Sequence, residues 1–144
     1  DLRIRKALQA TLTSSYIRRA ARHGIFVSYH RNDELFTLEL STALQEAGLK
    51  VWMDAISVPE DSDWRNEVIG AMRDCGIMIV VLSQKSMTDA ELEEERRYFL
   101  STGKILIPVL RENCDFRKLR LMIDPVDFRY DMNIGIRRLL YLMR

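Results

Sequence analysis

The chain has 144 residues, 47% of them hydrophobic, a length and apolar fraction that suit one domain with a proper core and no need of disulfide staples. Its formal net charge of +1 excludes a global field that recruits nucleic acid or an acidic partner. The 30% of charged residues are mixed in sign, as on a solvated surface.

Residues 1–23 read differently from the rest. They carry Arg3, Arg5, Lys6, Arg18, Arg19 and Arg22 with few acids. Leu8, Leu12, Tyr16 and Ala20 recur every fourth position, which predicts an amphipathic helix with one apolar stripe. Such a helix connects to a preceding domain or packs on the main body. A membrane-surface or nucleic-acid arm is the sharper alternative.

From Gly24 onward, short apolar runs alternate with amphipathic stretches. Residues 24–29 are strand-like. Asp33 is placed to cap a helix carrying Leu35, Phe36, Leu38, Leu40, Leu44 and Ala47, which Gly48 ends in the left-handed role. Residues 49–53 form a second strand, followed by a polar loop from Asp54 to Asp63 that contains Pro59. Trp64, Val68, Ile69 and Met72 make the apolar face of the next helix. Residues 77–82 are continuously apolar, the mark of a strand covered on both faces and hence of a parallel sheet. A helix over 88–101 ends at Gly103, and 105–110 is a fourth strand with Pro108 near its exit. Residues 111–122 are loop plus a short helix, 126–128 a short fifth strand, and 133–143 a last helix. Five β-α units with connections too long for hairpins predict an α/β fold. We expect a flavodoxin-like, doubly wound, five-stranded parallel sheet in the order 2-1-3-4-5, with an extra N-terminal helix over 1–23 and the main domain over 24–144.

Cys75 and Cys114 are far apart, outside any CxxC and away from a histidine, so neither a metal site nor a disulfide framework is expected, and a reducing cytosol is the default compartment. The N-terminal stretch has no apolar core of a signal peptide, and no apolar run approaches membrane-spanning length. The expectation is a cytoplasmic domain without a membrane or direct nucleic-acid partner.

In such a sheet, ligands bind beyond the carboxyl ends of the strands, where the order reverses between strands one and three. Tyr29, His30 and Arg31, the 54–63 loop, residues 83–87 and the start of the 88–101 helix meet there. There is no GxGxxG and no GxxxxGK[ST]. Strand three ends in Leu82–Ser83, without the phospho-acceptor aspartate of a receiver domain. No nucleophile elbow or HExxH is present. What remains is an acidic run, Glu91, Glu93, Glu94 and Glu95. Its plain reading is a helix N-terminus, with Thr88 and Glu91 as a capping box and the acids favoured by the helix dipole. Glu95 differs: Leu92, Glu95 and Phe99 fall at i, i+3 and i+7 on or beside the sheet-facing side. Glu94 lies about 200° round from Leu92 and points to water. A carboxylate at the edge of an apolar face is partly desolvated and available to a ligand.

The segments taken together resemble a TIR (Toll/interleukin-1 receptor-like) domain, and look closer to bacterial TIR proteins than to animal adaptors. Residues 25–33 (IFVSYHRND) resemble the family's opening strand and the basic and acidic residues after it. Residues 48–54 (GLKVWMD) resemble its second strand with tryptophan and acid, and 61–65 (DSDWR) the segment leading into the second helix. Residues 80–83 (VVLS) resemble the third-strand exit, 103–109 (GKILIPV) the fourth strand and 126–129 (VDFR) the fifth.

The resemblance implies cleavage of NAD⁺ at the nicotinamide–ribose bond by a single glutamate, which falls on Glu95. NAD⁺ is then the substrate, and no cofactor is implied. Nicotinamide would leave as a neutral pyridine, and the carboxylate would stabilise an oxocarbenium-like ribose. Phe26, Tyr29, His30, Arg31, Trp52 and Ser83 are the candidate NAD⁺ contacts. Trp52 has a core reading as well, Tyr29 and His30 an ordinary loop reading, and Arg31 is placed for either the diphosphate or Asp33 or Asp54. The family also implies self-association with other TIR domains through the Asp54–Asp63 loop, and a role in bacterial antiviral immunity. Two departures stand out. Many active relatives have a tryptophan where this chain has Glu91. The usual P-G-D-S-W reads here as Pro59-Glu60-Asp61-Ser62-Asp63-Trp64, lacking the glycine and one residue longer. The departure at Glu91 favours the competing reading, a TIR–TIR adaptor that cleaves nothing. A non-catalytic, nucleotide-sensing or receiver-like domain is a third.

Overall fold

Residues Ile77–Leu82 are buried at every position. A strand with no polar alternation needs cover on both faces, and here it forms the middle of a parallel sheet. The computed structural model describes residues 1–54 and 63–144, without the side chains of residues 6, 7 and 9–12. The elements in chain order are α1 (Leu2–Ala21), β1 (Ile25–Ser28), a 3₁₀ turn (Arg31–Asp33), α2 (Glu34–Glu46), β2 (Val51–Trp52), α3 (Trp64–Asp74) and β3 (Ile77–Leu82). Then follow α4 (Gln84–Met87), α5 (Ala90–Ser101), β4 (Ile105–Leu110), a 3₁₀ turn (Phe116–Lys118), β5 (Val126–Asp127) and α6 (Met132–Met143).

All strand pairs are parallel, in the order β2-β1-β3-β4-β5. This is the doubly wound, flavodoxin-like sheet expected from the sequence. Ile25 pairs with both Val51 and Ile77, so the strand exits that matter for ligands lie side by side. Pro108 pairs with Val80 on β3, while β5 reaches only Val109 and Leu110. The proline therefore has a strand neighbour on one side only, where its missing N–H is tolerated.

Alternate strand residues feed two cores. Ile25, Val27, Ile77, Ile79 and Val81 pack with α1, α2 and α6. Phe26, Met78, Val80 and Leu82 pack with α3 and α5. Ser28 follows Phe26 by two residues and so faces α5. Gly48 and Gly103 take φ of +91° and +80° just past α2 and α5, the left-handed role that ends a helix. No helix among the described residues is long and apolar enough to cross a membrane.

Three local expectations are corrected. Of the predicted stripe on α1, only Ala20 is buried among the described side chains: Leu8 is 58% and Tyr16 40% exposed, and Ile17 and Ala21 are buried beside Ala20. The helix contacts β3 and α6, and the buried side chains described on it lie in its last turns, rotated from the every-fourth-residue line. The side chain of Leu12 and all of Pro59 lie outside what is described. The predicted helix over 88–101 starts at Ala90 as α5, a separate short helix, α4, precedes it, and the capping box lies at Ser83 and Ser86 on α4 rather than at Thr88 and Glu91. Asp89, not Thr88, caps α5, accepting from the N–H groups of Glu91 and Leu92. Leu35, read as part of the apolar face of α2, is exposed.

Lys104 closes the far end of the sheet. Its ammonium donates to the carbonyls of Met72, Arg73 and Cys75 at 3.0, 2.7 and 2.6 Å. These oxygens at the carboxyl end of α3 have few helical partners and sit at the negative pole of its dipole. The substitution Lys104→Met keeps the stem and removes the donors. It is expected to cost about 2 kcal/mol, measurable as a lower denaturant midpoint with an unchanged slope.

Candidate active site

The carboxyl ends of β1 and β2 and the first turns of α3 and α5 enclose a cavity of about 230 Å³. Phe26 and Trp52, paired in the sheet register, stack with ring centroids 4.8 Å apart and an interplanar angle of 12°. They form an aromatic wall. Glu95 enters from α5: Leu92 and Phe99 bury the helix face, Glu95 sits half-buried between them, and Glu94 is exposed. The Ser28 hydroxyl donates to Oε1 of Glu95 at 3.3 Å.

Around the rim, the Tyr29 hydroxyl donates to Oδ1 of Asp54 at 2.5 Å. The Asn32 N–H donates to Nδ1 of His30 at 3.1 Å. An accepting Nδ1 leaves the ring proton on Nε2, which lies 3.9 Å from Oδ2 of Asp89. Burial pushes the Glu95 carboxyl up to about 7, and the negative charges of Asp54, then of Asp89 and Glu91, push the same way against the Ser28 hydrogen bond.

A testable pH dependence follows. The folded carboxyl holds its proton to about 7, whereas its ordinary value is 4.5. Between those values the folded chain binds more protons than the unfolded one, so this group's stabilising contribution is complete below 4.5 and is lost as pH rises through 7. Subtracting the denaturation profile of Glu95→Gln from that of the wild type should show this decline. A flat difference would mean that Glu95 is an ordinary solvated acid.

Five of the candidate contacts, Phe26, Tyr29, His30, Arg31 and Trp52, line the cavity together with Glu95. Ser83 does not. It is 1% exposed, donates to Oδ2 of Asp33 at 2.5 Å and caps α4. That bond also corrects Asp33, whose carboxylate caps no helix and is buried against β3 instead. Asp63 precedes α3, and residues 55–62 of the expected association loop lie outside the described residues. Sequence reasoning missed Ser28, Asp89 and Trp64 as parts of the site. The signal for Ser28 was its place two residues beyond Phe26, on the same face of β1. Trp64, read from the sequence as part of an apolar helix face, is 46% exposed and lines the cavity.

The site thus offers one partly desolvated carboxylate, a hydroxyl that orients it, and aromatic surface for a planar ring. Such a carboxylate can oppose positive charge developing on a substrate. Among the described residues no group of His, Cys, Asp and Glu could hold a metal ion.

Comparison with known proteins agrees on the fold. The TIR domain of the Toll-related receptor TRR-2 from Hydra magnipapillata superposes with a TM-score of 0.67 at 19% identity, covering 81% of this chain and 94% of that one. The TIR domains of the activated Roq1 resistosome, which directly recognises the pathogen effector XopQ, give 0.63 at 18% identity, covering 81% and 96%. The CMP N-glycosidase BcmB of Clostridium botulinum gives 0.56 at 15% identity, covering 80% and 96%. In sequence, the uncharacterised protein y4cD of Sinorhizobium fredii (strain NBRC 101917 / NGR234) is 29% identical over 110 residues, 72% of this chain, which spans only 17% of y4cD. The family model of the TIR domain matches residues 25–140. With nearly everything after α1 inside that match, the chain belongs to the TIR domain family.

Proposed function

We propose that this TIR domain cleaves NAD⁺ at the nicotinamide–ribose bond, with Glu95 as the catalytic carboxylate. The observation that carries this reading is Glu95 half-buried at a cavity wall, hydrogen-bonded by Ser28. The C1′–N bond breaks, and its electron pair leaves with nicotinamide as a neutral pyridine, so no acid is required. The positive charge passes to C1′ and the ring oxygen, where the Glu95 carboxylate stabilises it. Water adds to C1′ and gives up a proton to yield ADP-ribose; an internal nucleophile would give a cyclic product. The fold's use by a CMP N-glycosidase supports this reading, since that enzyme's name describes cleavage of the same kind of bond.

We assign the completion of the pocket, whose part beside Glu95 is about 230 Å³, to a second copy brought in through the segment from Asp54 to Asp63. That TIR domains of Roq1 occur within a resistosome supports assembly. The setting we propose is bacterial antiviral defence in the cytoplasm, with α1 joining the domain to a sensing region; the likeness to a Sinorhizobium protein supports a bacterial setting.

The test is to incubate concentrated or artificially clustered protein with NAD⁺ and follow free nicotinamide. Glu91, which lines the cavity where many active relatives have a tryptophan, favours a second reading, an adaptor that binds other TIR domains without turnover. No nicotinamide release in any assembled state would select it.

A further inference from the structure

We propose that Trp64 is the side chain on which the nicotinamide ring of the substrate stacks, a role resting on the NAD⁺-cleaving reading above. Trp64 opens α3 and lines the cavity that holds Glu95. The space continues between α3 and α5 as a groove of about 510 Å³, and Trp64, Val68, Glu91 and Glu95 line both parts. Trp64 therefore stands where the two meet.

The fold makes little use of this indole. Val68, Ala71 and Met72 anchor α3 to the sheet, whereas Trp64 stays 46% exposed. Among the described residues no ring stacks on it, while Trp52 already has Phe26 against it. A large aromatic left half in water beside a catalytic carboxylate has a face free for a planar base. Position 91 on α5 carries a glutamate, so the aromatic surface at this corner comes from α3 instead. The chemistry matches as well: a pyridinium is a cationic ring, which an indole face attracts electrostatically and by stacking.

Ligand binding without turnover separates stacking on Trp64 from cleavage by Glu95. Nicotinamide mononucleotide is titrated into clustered Glu95→Gln protein, where binding is read without turnover. Adding Trp64→Ala should weaken binding roughly tenfold. Trp64→Phe should restore it to within about threefold, since a smaller ring still stacks. Neither change should move the thermal midpoint by more than about 2 °C. In parallel, Trp64→Ala in the active chain should raise KM for NAD⁺ more than it lowers kcat. Undiminished mononucleotide binding in Trp64→Ala overturns the proposal, as does loss of the folded state in both variants, which would make Trp64 structural. Trp64-dependent binding in a wild type that releases no nicotinamide keeps the stacking role and removes the cleavage reading. Cleavage with kinetics indifferent to Trp64→Ala does the reverse.

Discussion

Replacing Glu95 with alanine should lower nicotinamide release about a hundred- to a thousandfold, the usual cost of removing a group that stabilises transition-state charge. Glu94→Ala should stay within about twofold of wild type, as an exposed surface substitution does. The two residues are adjacent in sequence and identical in chemistry, so the contrast isolates position. Glu95 is half-buried against the cavity and accepts from Ser28; Glu94 is exposed. Glu95→Gln sharpens the test, because it keeps size and hydrogen bonding but not the charge. It should be nearly as inactive as alanine. Activity retained by the glutamine variant would show that shape, not charge, is what position 95 supplies. Equal losses at 94 and 95 would implicate the acidic helix as a whole.

The largest stability effect is expected at Gly76. A Cβ there would stand 2.0 Å from the carbonyl oxygen of Ala20 and 2.8 Å from its carbon. The obstacle is backbone, not the end of a flexible side chain. Relief requires the last turn of α1 to lift, pulling Ile17, Ala20 and Ala21 out of the core they share with β1 and β3. Gly76→Ala should cost about 3 kcal/mol, at the upper end of overpacking changes, and lower the melting temperature by roughly 10 °C in a domain of this size. Gly70→Ala is the control. Nothing lies within 4 Å of a Cβ at Gly70, in the middle of α3. That change should leave stability unchanged or raise it by about 0.5–1 kcal/mol through helix propensity. A Gly76→Ala protein that melts with the wild type would mean that α1 does not dock against β3.

Period and punctuation made most of the architecture legible. The apolar run of β3 announced a doubly covered strand, and five β-α units left few topologies. Gly48 and Gly103 marked helix ends because a left-handed residue is needed there. Where several nearby residues could serve the same local role, the sequence was ambiguous. Thr88 and Asp89 are both competent caps, and α4 intervening at Gln84–Met87 decides for Asp89. Tertiary contact overrode pattern in α1, whose described buried side chains lie in the last turns while Leu8 is left in water. Asp33 and Ser83 are 50 residues apart, and their buried bond belongs to the packed state alone. The geometry of Glu95 was readable because one helix carries its whole argument. Trp64 was not, because the same i, i+4 spacing with Val68 describes a buried face and a half-exposed rim equally well.

The Tyr29–Asp54 contact carries a consequence of its own. Asp54 sits two residues past β2, held by a phenol from the end of β1, and its negative charge helps keep a proton on Glu95. Coulomb repulsion falls with separation, and faster once water enters the gap. Drawing Asp54 outward would thus make Glu95 a stronger acid near neutrality. Mechanical displacement at the tip of one strand would in this way be transduced into ionisation on a helix across the crevice, with no rearrangement of that helix.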